Sequence, residues 1–188
     1  MNNLFSVPIK AFNLSHLDLN SIKDFCLSRR DEGLQHSNEG GYHSKYFDLT
    51  SKELLPLCND ILDIGKNFCD ELEVEQVTHI QNMWSIVNKF GHYNKEHIHP
   101  NSFFSGVFYP GDEYPDDCGD LCLVNPAKNL MSFDWDHTQK NYNVYNSLVM
   151  NIKPVRGRMI IFPSYLSHFV HMNQNKNVDR LVISFNLK

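Results

Sequence analysis

At Leu72 the spacing of apolar residues changes from a period near 3.6 to a period of 2, and the new period holds to the end of the chain. Upstream, Ile22, Phe25, Cys26 and Arg29 recur at helical spacing between Asp18 and Arg30, with Asp18 or Asn20 as cap and Gly33 as stop. Thr50 and Glu53 fit a capping box, and Leu54, Leu57, Cys58, Ile61, Ile64, Phe68 and Leu72 form one stripe behind it. Pro56 interrupts this second helix, so its first turn is either separate or kinked. Downstream the expected strands cover 74–90 (one or two strands), 96–109, 120–124, 147–152, 158–162 and 180–187, parted by Pro, Gly, Asn and Asp. Residues 3–13 read as an opening strand that Pro8 marks as an edge or interrupted one. Helices followed by short strands give an α+β class, with the helices packed on a β-sandwich or barrel. At 188 residues the chain is expected to be one domain, 1–73 supporting a β core of 74–188.

Thirteen Phe and eight Tyr suit a β-rich interior. A net charge of −5, without a run of Lys or Arg, argues against nucleic acid as a partner. Cys26, Cys58, Cys69, Cys118 and Cys122 are an odd set without a C-x-x-C pair, read as reduced thiols of a cytoplasmic protein. The N-terminus shows no leader-type apolar stretch, and no apolar run approaches the roughly 18 residues of a membrane span.

Chemistry concentrates at Glu96-His97-Ile98-His99-Pro100, ahead of an apolar run from Phe103 to Tyr109. On a strand His97 and His99 share a face, so two imidazoles converge. A distant third would complete a site for a divalent metal held by neutral imidazole nitrogen. His168 and His171 both stand in the right region, with opposite parity on an extended strand, so one of them faces inward. On the last strand Arg180, Val182, Ser184 and Asn186 share one face, and Leu181, Ile183, Phe185 and Leu187 share the other. Either the polar face meets water, or it lines a pocket in which the Arg180 guanidinium requires a carboxylate, as from a small dicarboxylate ligand.

Four stretches carry a family resemblance: His97-x-His99-Pro100-x-Ser102, Ser105 to Tyr109, Gly157 to Ser164 continuing to His168, and Arg180 to Asn186. Weaker echoes lie at Gly40 to Ser44 and at Trp84. With these the chain resembles the iron(II)/2-oxoglutarate-dependent oxygenases, specifically a group of small bacterial and phage-encoded proteins with a prolyl-hydroxylase-like fold. The resemblance implies a double-stranded β-helix, a jelly-roll or cupin-like barrel flanked by N-terminal helices. It implies Fe(II) and 2-oxoglutarate as cofactor and cosubstrate, and O₂-dependent hydroxylation of a C–H bond coupled to formation of succinate and CO₂.

Carried over residue by residue, the resemblance makes His97 the first iron ligand and His168, rather than His171, the distal one. It gives Arg180 the far carboxylate of 2-oxoglutarate, with Ser184 and Tyr109 beside it. Two departures stand out. His99 occupies the position of the family aspartate and is retained as the third ligand, with Asp112, Asp117 and Asp120 as rival carboxylates. Val182 occupies the position of a small hydroxyl residue. A three-His cupin-type enzyme without 2-oxoglutarate, such as a thiol or ring-opening dioxygenase, and a non-catalytic ligand-binding barrel are the rival readings. Substrate identity, whether small molecule or peptide side chain, is open. The segments Pro110 to Gly119 and Pro126 to Asn146, including Trp135, are expected to border the pocket, and His16, His36, His43, His79, His92 and His137 to be surface or packing residues.

Overall fold

The structure, a computed structural model, describes residues 6–29, 34, 36–129, 131 and 139–188. Residues 3–5 of the expected opening strand, the helix stop at Arg30 to Gly33, and Gln35, Trp135 and His137 lie outside the described residues.

Helix α1, Leu19–Leu27, starts at Asp18, whose side chain accepts the backbone N–H of Ser21 at 3.0 Å. That bond satisfies one of the donors a helix start leaves unpaired. Helix α2, Leu55–Glu71, has no side-chain cap, so the Thr50–Glu53 box does not form. Thr50 instead turns its N–H and its hydroxyl to Asp48 Oδ1, in a separate turn ahead of the helix. Pro56 sits in the first turn of α2, where a missing N–H costs no intrahelical bond.

The strands are β1 (Lys10–Asn13), β2 (Asn38–Glu39), β3 (Tyr42–His43), β4 (Ile80–Asn88), β5 (Tyr93–His97) and β6 (Phe104–Phe108), then β7 (Leu121–Val124), β8 (Val149–Ile152), β9 (Arg158–Pro163), β10 (His168–Val170) and β11 (Arg180–Leu187). They form two antiparallel sheets, ordered β1-β9-β6-β11-β4-β3 and β2-β5-β10-β7-β8. The described strands therefore make two sheets and not the single closed ring of a barrel. From β4 onward the pairings nest: β4 with β11, β5 with β10, β6 with β9, β7 with β8. The expected strand over 96–109 is two strands in different sheets, joined by residues 98–103. The crossing falls at Pro100-Asn101-Ser102, with Asn101 at a positive φ of 66°, a turn within what strand period alone reads as one strand.

The six-stranded sheet is covered on both faces. Met83, Phe104, Phe108, Ile161, Ile183 and Phe185 point to one side and share a core with Ile22, Leu57, Ile61 and Phe68 of the helices. Burying a side chain of this size is worth about 1.5–3 kcal/mol, which makes the helix stripe the anchor of the sheet. Trp84, Ile86, Val107, Tyr109, Phe162 and Val182 point to the other side and share a second cluster with Leu121, Leu123 and Val170 of the five-stranded sheet.

Gly106 shows how tightly the first cluster is fitted. A Cβ there would stand 2.2 Å from Phe185 Cζ and 2.8 Å from the Ile160 carbonyl oxygen, and the carbonyl belongs to a paired strand. Gly106→Ala is expected to lower stability by about 1–3 kcal/mol through overpacking, seen as a lower denaturant midpoint at unchanged slope. An unaltered midpoint would mean the sheet spreads there at no cost.

Candidate active site

The two sheets enclose a cavity of about 480 Å³. His97 and His168 reach it as direct partners across the β5–β10 ladder, with ring centroids 4.3 Å apart. His99 lies beyond the end of β5 and is placed by a different device: its backbone N–H donates to the Ser164 carbonyl, at 3.1 Å, in the turn between β9 and β10. The expected convergence of the H-x-H pair is present, with centroids 5.0 Å apart, but it comes from this turn and not from alternation along one strand. One nitrogen from each of His97, His99 and His168 lies within 4.8 Å of the others. His171 faces outward and is exposed.

Hydrogen bonds fix two of these rings. His97 Nδ1–H donates to the Lys95 carbonyl at 2.7 Å, and His168 Nδ1–H donates to the Leu166 carbonyl at 2.9 Å. Each bond commits the proton to Nδ1 and leaves Nε2 as a lone pair. His99 Nε2 and His168 Nε2 are 3.2 Å apart. Two nitrogens bound at right angles to one metal, each at about 2.1 Å, would be about 3 Å apart, so the trio fits a shared ion. Burial holds the rings neutral, the form that binds metal: it lowers His97, takes His99 to about 4 and takes His168 to about 3, with nearby imidazoles adding to the last two.

None of the rival carboxylates joins the cluster. Asp112 is held by Lys23 at 2.9 Å and by Arg156 at 3.0 Å. Asp117 accepts from Asn175 Nδ2 at 2.9 Å. Asp120 offers its backbone carbonyl to His171 N–H, and its Oδ1 is buried without a partner.

At the deep end stands Arg180, 1% exposed. Its Nε donates to the Gly119 carbonyl at 2.9 Å and one terminal nitrogen to Tyr109 Oη at 3.3 Å, while Nη1 is buried with no partner. No side-chain carboxylate among the described residues forms an ion pair with it. A guanidinium so enclosed and one bond short has the free donor an anionic acceptor could take. Arg180, Val182 and Ser184 line the cavity, whereas Tyr109 stands behind the guanidinium with its hydroxyl held un-ionised by burial. The polar face of β11 therefore meets the cavity and not water, and its apolar face meets the helices.

The mouth differs from the expectation. No described residue of 110–119 or 126–146 lines the cavity. Its walls come instead from His36, His43 and Tyr46 beside Trp84, and from Lys95, Glu96 and Ile98. His43 is buried and stacks on Trp84, with centroids 5.5 Å apart and planes 12° apart, a packing residue as expected, and with His36 it also lines the cavity. Strand period could not show this, since β2 and β3 are two residues long, although the family echo at Gly40 to Ser44 falls in the same stretch.

Residues 82–186 match the model of a family described as "Putative 2OG-Fe(II) oxygenase". No curated protein matches the chain. Among solved structures, a Pseudomonas putida prolyl-4-hydroxylase is similar with a TM-score of 0.69 at 11% identity, covering 97% of this chain and 93% of that one. A Trichoplax adhaerens prolyl hydroxylase, solved with a hypoxia-inducible-factor peptide, gives 0.66 at 16%, covering 95% and 82%. A viral collagen prolyl hydroxylase from Paramecium bursaria Chlorella virus-1, solved with 2-oxoglutarate, gives 0.60 at 10%, covering 95% and 94%. At these identities the likeness is one of fold.

Proposed function

The chain belongs to the 2OG-Fe(II) oxygenase family, and from that premise we propose that His97, His99 and His168 hold the iron while Arg180 takes the far carboxylate of 2-oxoglutarate. Bound together, Fe(II) and 2-oxoglutarate supply the O₂-dependent chemistry by which a substrate C–H bond is hydroxylated and the cosubstrate becomes succinate and CO₂. The nested strand pairs are read as the double-stranded β-helix of the family, with the helices and β1 as its support and the whole chain as one functional unit.

The observation that carries the reading is the unpaired Nη1 of Arg180, in the same cavity as the three imidazoles, of which His97 and His168 carry their proton on Nδ1 while the Nε2 atoms of His99 and His168 meet at 3.2 Å. A three-His enzyme that uses no 2-oxoglutarate has no need of a buried cation at that depth. Tyr109 is assigned to holding the guanidinium, and Ser184 to hydrogen bonding in the space that Val182 leaves without a hydroxyl. The reading is tested by anaerobic titration of Fe(II)-loaded protein with 2-oxoglutarate. A saturable metal-to-ligand charge-transfer band, followed by succinate on admission of air, is the expected result. Absence of both would leave a metal site of another kind.

The third ligand has its own test. His99→Asp is expected to retain iron, with affinity equal to or above that of the parent, because a carboxylate adds an anionic ligand to the same position. Metal content after dialysis against a weak chelator reads this directly. Loss of metal in His99→Asp would show that the turn at Ser164 aims an imidazole, and not a shorter carboxylate, at the ion.

A further inference from the structure

We propose that the mouth of this cavity is a subsite for an uncharged amide, with Trp84 Nε1–H donating to its carbonyl oxygen and His43 Nε2 accepting its N–H. The inference rests on the oxygenase reading of the cavity and names the chemistry of what enters it. Trp84 lines the cavity, is 6% exposed, and its Nε1 is buried without an acceptor. An indole N–H shut off from water costs free energy unless something that enters completes it. His43 Nδ1–H donates to the Ser44 carbonyl at 2.7 Å, which leaves Nε2 as an acceptor with no hydrogen bond in the structure.

The charges at the rim are already engaged. Lys95 is ion-paired with Glu39, and Glu96 accepts from Ser167 Oγ at 2.7 Å. Among the described residues that line the mouth, neither a phosphate nor a free carboxylate finds an uncommitted cation, which disfavours a nucleotide. Along the β11–β4 ladder Arg180 pairs with Asn88 and Ser184 with Trp84, so guanidinium and indole belong to different rungs, and Trp84 adjoins Tyr46, which is 60% exposed. The indole therefore belongs to the substrate side of the cavity and not to the cosubstrate side. Flat, stacked rings with one donor and one acceptor complement a planar amide, as in a peptide group.

The test uses ¹⁵N-labelled full chain loaded with diamagnetic Zn(II) in place of iron, first alone, then with 2-oxoglutarate, then with blocked amino-acid amides (N-acetyl, N-methylamide) or uridine. Trp84 and Trp135 are the two tryptophans, so Trp135→Phe assigns the indole resonance. The expected result is a saturable downfield move of the Trp84 Nε1–H resonance with a blocked amide and none with uridine. Followed on the Val107 and Val182 methyl resonances, Trp84→Phe is expected to weaken amide binding about three- to tenfold, the worth of one hydrogen bond. His43→Phe, which keeps the stack and removes the acceptor, is expected to do the same. If 2-oxoglutarate binds but the amides leave the indole unmoved, or if 2-oxoglutarate alone moves it, the subsite is wrong and the oxygenase reading stands. If 2-oxoglutarate itself fails to bind, the oxygenase reading falls first.

Discussion

His168→Ala, and separately His97→Ala, are expected to bind Fe(II) about a hundredfold or more weakly than the parent chain while keeping its circular dichroism. The two side chains face each other across one ladder, and each has its proton pinned on Nδ1 by a backbone carbonyl. Changes to groups that merely orient a metal ligand already cost 10- to 100-fold in affinity, so loss of the ligand itself costs more. The fold is expected to survive because the main apolar cluster lies on the other face of the six-stranded sheet, against the helices. Elemental analysis after anaerobic loading reads the outcome. Equal iron in both variants and the parent would remove the metal assignment altogether.

Arg180→Met is expected to leave iron affinity nearly unchanged and to weaken 2-oxoglutarate by about 30-fold to several thousand-fold. That range corresponds to roughly 2–5 kcal/mol for a buried charge-assisted pair whose partner is removed. Arg180→Lys should fall between the two, because a point charge cannot reproduce the planar fork that now bonds Gly119 and Tyr109 and leaves Nη1 for a ligand. Dissociation constants from the charge-transfer titration, run on all three proteins, decide it. Three equal constants would place the cosubstrate elsewhere.

Much of this was legible in the chain because it depends on local period and on side-chain chemistry. The change of period at Leu72 separated both helices from the strands β4 to β11, and β7, β8, β9 and β11 lie where short apolar runs bounded by Gly, Pro, Asn and Asp put them. The H-x-H pair, a distant histidine and Arg180 named residues that the structure brings to one cavity. What was hidden is tertiary. Pro100-Asn101-Ser102 signals a turn, but nothing in it announces that the chain leaves one sheet for the other. The Thr50–Glu53 pattern is a valid cap that lost to an Asp48 turn and to Pro56, whose ring suits a helix start. Both faces of β11 are covered, so its polar half could not be assigned to water or to a cavity from alternation alone. That His36 and His43 line the cavity was hidden because His36 lies outside any strand and His43 in one only two residues long, too short to carry a pattern.

The direct opposition of His97 and His168 ties metal binding to strand register. A slip of β10 by one residue against β5 would set Ser167 or Phe169 where His168 belongs and turn the imidazole to the outer face. Such a chain keeps most of its backbone pairing yet offers the ion one nitrogen fewer. Because a ligand that binds only the native arrangement stabilises that arrangement by mass action, an ion at this site would add to the register preference that burial of Val170 in the inter-sheet cluster already sets. Iron would then act as a proofreader of the fold before it takes part in any turnover.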